Sequence, residues 1–254
     1  MASTSVPSNP PSKRSRSDAV WTVLTALAAV SVAVALYLSL VWAPTAVNFT
    51  TETERLSQRI FYFHVASGWV GFFAFFVTAV SGAVYLITRR RRWDAVALSS
   101  AELGVTFTLA NLFSGMVWAQ TTWGKPYPIE DPRINTSTIV VLVYIAYLML
   151  RNAIADPERR ARLASVYGIV GFLSVPITFL SIRIWRTIHP AVIGTGSETA
   201  QGGFDLAPDM VVALLFSIFA FTVMYAALLR WRLKLEDLRD QVDGLKALAA
   251  GGDR

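Results

Sequence analysis

The chain has 254 residues, 54% of them apolar and only 16% charged, with a formal net charge of +6 and no cysteine. Its apolar residues gather into runs of about 20 or more, long enough to cross a bilayer as helix and far too long for barrel strands, so a soluble globule and a membrane barrel are both excluded. The lack of cysteine excludes disulfides, thiolate metal sites, thiol redox chemistry and covalent attachment through a C-x-x-C-H sequence.

Residues 1–18 are rich in Ser and Pro and read as a disordered tail. Six apolar spans follow, at 20–42, 60–88, 103–122, 134–150, 164–182 and 207–229. The first is too long for a cleaved signal and no small-x-small site follows it, so it reads as an uncleaved span. An even number of spans puts both ends on one side. With the termini inside, 17 of the 23 Lys and Arg fall on that side, including the run Arg89 to Arg92, and six fall outside. Basic loops stay in the cytoplasm, so the expected fold is all-α, a polytopic membrane protein with six transmembrane helices and both termini cytoplasmic. This also accounts for the net charge without nucleic acid. Residues 19–232 form the expected membrane domain.

Beyond the last span, in residues 233–254, Leu235, Leu238, Val242, Leu245 and Leu248 recur at helical spacing among charges. That makes a short amphipathic helix stopping at Gly251 and Gly252, read as a solvated extension, with a partner-docking helix as the alternative. No Walker sequence or Gly-rich phosphate loop is present, so any ATP use belongs to another subunit.

Three features on the outer side carry chemistry. His64 lies just inside the start of the second span, in Arg-Ile-Phe-Tyr-Phe-His-Val, and taken alone reads as a polar anchor or as a metal ligand. The segment 174–190 holds Pro176, which is expected to kink the fifth span, then Trp185 at the interface and His189 one turn later. Arg183 and Arg186, three apart on one helical face, run against the charge bias. Carboxylates of a ligand explain them, as do lipid phosphates or acids such as Glu130, Asp131, Asp205 or Asp209. The loop 118–133 combines Trp118, Trp123, Gly124, three prolines, Tyr127 and Asp131-Pro-Arg133, and reads as a rigid aromatic shelf or as an ordinary interfacial loop. His64 and His189 are the only histidines in the chain. Imidazole is a ligand common to iron, copper and zinc, so two placed at one edge of the membrane suggest a metal or haem clamp.

These residues together resemble the CcmC-type haem-handling proteins of cytochrome c maturation, members of a membrane family with a Trp-rich outer loop. The resemblance runs from about Gln58 to Gly194. It is strongest in Phe61-Tyr-Phe-His-Val-Ala-Ser-Gly-Trp69 and in the Pro176 to Pro190 segment with Ser181, Trp185, Thr187 and His189. It implies that His64 and His189 are axial ligands of a transiently held haem b, with Trp118, Trp123 and Tyr127 against the macrocycle. It further implies Arg133, Arg183, Arg186 or Lys125 at the propionates. The implied partners are a periplasmic haem chaperone of the CcmE type, ABC transporter subunits, a small membrane subunit and membrane lipid, and the implied location is the bacterial inner membrane. The outer loop departs from the family pattern: Pro126, Tyr127, Pro128 and Ile129 stand where aromatic residues are expected, and Glu130 precedes Asp131. The implied activity is transport and handoff rather than independent catalysis. A b-type electron-transfer cytochrome and a haem-free permease or scaffold subunit are the alternative classes.

Overall fold

A computed structural model describes residues 16–46, 49, 51–190 and 206–252, and these are helical almost throughout. The tail expected at 1–18 lies outside the described residues up to position 15. The elements are α1 (Arg16–Tyr37), continued by a π-helical turn (Leu38–Trp42), α2 (Glu52–Ser57), α3 (Ile60–Thr88), α4 (Arg91–Trp123), α5 (Pro132–Ala153), α6 (Pro157–Phe172), α7 (Ser174–Ile184) and α8 (Pro208–Gly252). Among the described residues, six helical stretches are long and apolar enough to span a membrane, with α6 and α7 sharing one.

Each expected span is present, and the differences lie at the ends. The third span begins at Arg91, and its first turns carry buried Asp94, which pairs with buried Arg151 and half-exposed Arg91. A two-residue link, Arg89 and Arg90, folds α3 back on α4; Arg89 takes a left-handed conformation (φ 55°) to make the turn. The two helices then pack closely along small residues: Gly71 lies against Thr108, and a Cβ on Gly104 would meet the Phe75 ring at 2.5 Å. Small residues at such crossings let backbones approach in lipid, where burial supplies little drive. Phe75 in turn stacks on Tyr144 of α5 at 3.6 Å between ring centres, in a core with Ala101, Val140, Tyr147 and Ala164.

The helix α2 was not apparent from apolar patterning. Its signal is the capping box Thr51-x-x-Glu54: the Thr51 hydroxyl accepts from the Glu54 amide while the Glu54 carboxylate accepts from the Thr51 amide. Beyond it, buried Gln58 accepts from the Ala46 amide and donates to the Pro44 carbonyl, and Arg59 donates to the Ser39 and Ala43 carbonyls. These side chains satisfy the backbone where the first span ends.

Pro176 interrupts the fifth span as expected. Lacking an N–H and crowding the carbonyl four residues back, it separates α6 from α7 at Leu173. The last span and the amphipathic extension form one continuous helix, with Leu235, Leu238, Val242, Leu245 and Leu248 exposed along it.

One end of the bundle is tied by ions. Arg151 makes a bidentate pair with Asp94 at 2.5 and 3.0 Å, and Arg91 adds a contact to the same carboxylate at 2.9 Å. Arg232 of α8 pairs with Glu102 at 2.6 Å and Glu236 at 2.6 Å. Trp21 near the start of α1 meets Trp231 at this end, so the beginning of the first span and the end of the last lie together. The opposite end carries both histidines.

Candidate functional site

His64 is on the second turn of α3, a regular helix that fixes its backbone. Its ring lies against α4, where Gly115 makes room: a Cβ there would come within 2.8 Å of Cε1. The ring Nδ1 lies 2.9 Å from the Asn111 carbonyl and 3.2 Å from the Ser114 hydroxyl. A carbonyl only accepts, so Nδ1 carries the proton and Nε2 holds the lone pair. The Asn111 side chain donates to the His64 carbonyl at 2.8 Å, and its amide nitrogen also lies 3.4 Å from Nε2.

His189 follows the end of α7. The helix stops at Ile184, and Trp185 is already extended (φ −114°, ψ 157°). Arg183 and Arg186 therefore do not share a helical face: Arg183 is in the last turn and Arg186 lies beyond it. Past the helix, Asp131 captures the turn, accepting from the Thr187 hydroxyl at 2.6 Å and the Ile188 amide at 2.9 Å, and Pro190 disfavours helical geometry at His189. His189 Nδ1 lies 3.0 Å from the Pro190 carbonyl, which again makes Nε2 the lone-pair nitrogen. Burial, then the nearby Arg133 and His64, push the His189 pKa down to about 3. The imidazole is thus neutral at physiological pH, as ligation requires.

The two histidine ring centres are 6.3 Å apart and their planes are inclined by 37°. That separation is of the order required by two metal–nitrogen bonds of about 2 Å to one ion when both Nε2 atoms face it. The donor set, two neutral nitrogen ligands with the second ring nitrogen of each held by a carbonyl, suits haem iron. Among the described residues, no group of three or more His, Asp or Glu forms an alternative metal site.

A small cavity of about 60 Å³ brings together His64, His189, Trp118, Trp123, Tyr127 and Arg133. Trp118 and Trp123 meet edge to face at 5.7 Å, and the Tyr127 hydroxyl bonds to Thr138 and Asn135. On the other side of the histidines opens an apolar groove of about 620 Å³, walled by aromatic residues of α3 and α7, among them Trp69, Phe72, Phe76 and Phe179. A volume of some 60 Å³ cannot take a macrocycle, whereas the groove falls within the range of about 300–1,000 Å³ typical of ligand pockets. Room for a planar ring beside the histidines is therefore on the α3–α7 side, and the Trp-bearing loop closes the opposite side.

The cations divide. Arg133 lines both cavities while donating to the Thr178 carbonyl at 2.5 Å and facing the Phe72 ring. Arg183 lines the groove over Phe179. Arg186 is not brought to the histidines; it lines a separate cleft with Trp123, Lys125, Glu130 and Thr187. Lys125 pairs with Glu130 at 3.6 Å on the surface. Sequence reasoning missed Asn111, Ser114 and Gly115 as supports of His64. Asn111 had a signal, since an amide in an apolar span needs partners.

Comparison with known proteins then identifies the relatives. The sequence model of the heme exporter protein C family, CcmC, matches residues 4–247. The heme exporter protein C of Bradyrhizobium diazoefficiens is 29% identical over 197 residues, covering 78% of this chain and 73% of that protein. That of Escherichia coli K12 is 28% identical over 180 residues, 70% and 69% of the two chains. A putative cytochrome c biosynthesis ccmC-like mitochondrial protein of Arabidopsis thaliana is 26% identical over 215 residues, 84% and 75%. With nearly its whole length matched, on a body of six membrane-spanning stretches, the chain belongs to the heme exporter protein C family.

Proposed function

We propose that this protein holds haem b transiently between His64 and His189 at the outer face of a bacterial inner membrane and presents it to a periplasmic haem chaperone during cytochrome c maturation. The observation that carries the reading is the 6.3 Å separation of two imidazoles whose Nδ1 atoms are both engaged by carbonyls, leaving both Nε2 lone pairs for one iron. Arg133 and Arg183 line the groove beside the histidines and serve the propionates, with Arg186 and Lys125 at the outer rim. Trp118, Trp123 and Tyr127 close the side away from the groove. The termini face the cytoplasm, where the ABC transporter subunits and a small membrane subunit complete the system. Release follows from competition: two neutral ligands orient the iron, and the acceptor takes it over.

The test is haem content and absorption of the purified protein beside His64→Ala and His189→Ala. Each variant is expected to lose the six-coordinate low-spin spectrum, with haem occupancy falling on the order of tenfold, since one ligand bond exceeds the 1.4 kcal/mol that a decade represents. Unchanged haem in both variants overturns the assignment. Addition of the acceptor chaperone separates handoff from electron transfer, because a resident cytochrome haem stays bound.

A further inference from the structure

His64 and His189 face the same site from unequal supports. His64 projects from the interior of a 29-residue helix, whereas His189 sits five residues beyond the end of α7, where no helical hydrogen bonds fix the backbone. Among the described residues its turn is held by one buried carboxylate, Asp131, only 3% exposed, and Thr187 also takes part in a β-bridge.

Both oxygens of Asp131 are engaged, each with a different element. Oδ1 accepts from the Arg133 amide at 2.9 Å and the Ile134 amide at 3.3 Å and so caps α5. Oδ2 accepts from the Thr187 hydroxyl at 2.6 Å and the Ile188 amide at 2.9 Å. The Thr187 oxygen in turn accepts from the His189 amide at 3.0 Å. Residues 187 to 189 are thus tied in succession to one anion, and Pro190 orients the ring itself through Nδ1.

We infer that Asp131 is the positioning residue for the second iron ligand: it locks the backbone of His189 to the start of α5, so that the outer loop and the ligand turn move as one body. This rests on the haem-clamp reading above. An aspartate preceding a proline at the first helical position is commonly only a cap. Here the second oxygen does something a cap does not, and the two roles separate chemically. Asparagine caps helices about as well as aspartate, so Asp131→Asn keeps the α5 cap through Oδ1. It turns an amide N–H₂ toward two groups that themselves donate.

The experiment uses the full chain, with Asp131→Asn, Thr187→Val and Thr187→Ser beside His189→Ala. In the haem-free protein, amide exchange in a peptide covering residues 186–190 is expected to quicken about tenfold or more in Asp131→Asn and Thr187→Val, the factor for losing a hydrogen bond to a charged group. In the haem-loaded protein the same two variants are expected to lose the six-coordinate low-spin spectrum, as His189→Ala does. Added imidazole is expected to restore it, and Thr187→Ser to resemble wild type in both measurements. Wild-type exchange in Asp131→Asn overturns the inference, and so does quickened exchange with an intact low-spin spectrum. If His189→Ala alone changes the spectrum, the clamp stands and the positioning role falls. If His189→Ala leaves the spectrum as in wild type, the clamp itself falls and takes this role with it.

Discussion

At the scale of single residues, the histidine end depends on small side chains as much as on the ligands. Gly115 admits the His64 ring against α4, and a methyl group there meets Cε1 at 2.8 Å. Alanine is the better helix former by about 1 kcal/mol, so Gly115→Ala is expected to leave helix content and thermal stability equal or higher. It is nonetheless expected to displace the ring and reduce haem occupancy severalfold, and absorption alongside a thermal melt checks both. A joint loss of stability and haem would mean that the site is disturbed through the fold instead. Both histidines were legible in the sequence because imidazole is rare here and each sits at a span edge. Their supports were less so, Asn111 offering only the signal of an amide in an apolar span. Asn111, Ser114 and Gly115 lie some fifty residues from His64 and meet it only through the α3–α4 hairpin. Asp131 was legible as part of a motif, but its grip on Thr187 belongs to tertiary structure. Arg186 was misplaced because a helix assumed to run through position 186 ends at Ile184.

At the scale of elements, apolar runs gave the six spans and charge gave little. Arg151 reads in sequence as one more basic residue of an inner loop, yet it is buried in a bidentate pair with Asp94 that joins α5 to α4. Breaking such a pair leaves an uncompensated buried charge, typically at a cost of about 3–5 kcal/mol. Asp94→Asn is therefore expected to lower stability by that order in a denaturant titration. Glu130→Gln, which removes an exposed, solvent-screened partner of Lys125, is expected to have no comparable effect. Equal effects would show that the Asp94 pair is solvated. Periodicity found α8 but not its continuity: the charges after Leu229 suggested a separate extension, while the pairing of Arg232 and Glu236 carries the helix through.

At the scale of the whole molecule, the contacts put the start of α1 and the later part of α8 at the end away from the histidines. Which end faces the cytoplasm rests on the distribution of Lys and Arg, and labelling decides it. The chain has no cysteine, so single-cysteine variants need no background removal. Lys125→Cys is expected to react with an impermeant maleimide in intact cells, and Arg92→Cys only after permeabilisation. The reverse pattern inverts the orientation and places the histidines inside.

The unbroken length of α8 has a mechanical consequence. Its 45 residues make a rod of roughly 68 Å, more than twice the hydrocarbon thickness of about 30 Å. Ile218 forms part of the groove wall beside the histidines, and the ionic collar at Glu236 lies about 27 Å further along, with the tip at Gly252 about 24 Å beyond that. The two lengths are nearly equal, so a rigid tilt of α8 about the collar would carry its tip and the groove wall through similar distances in opposite directions.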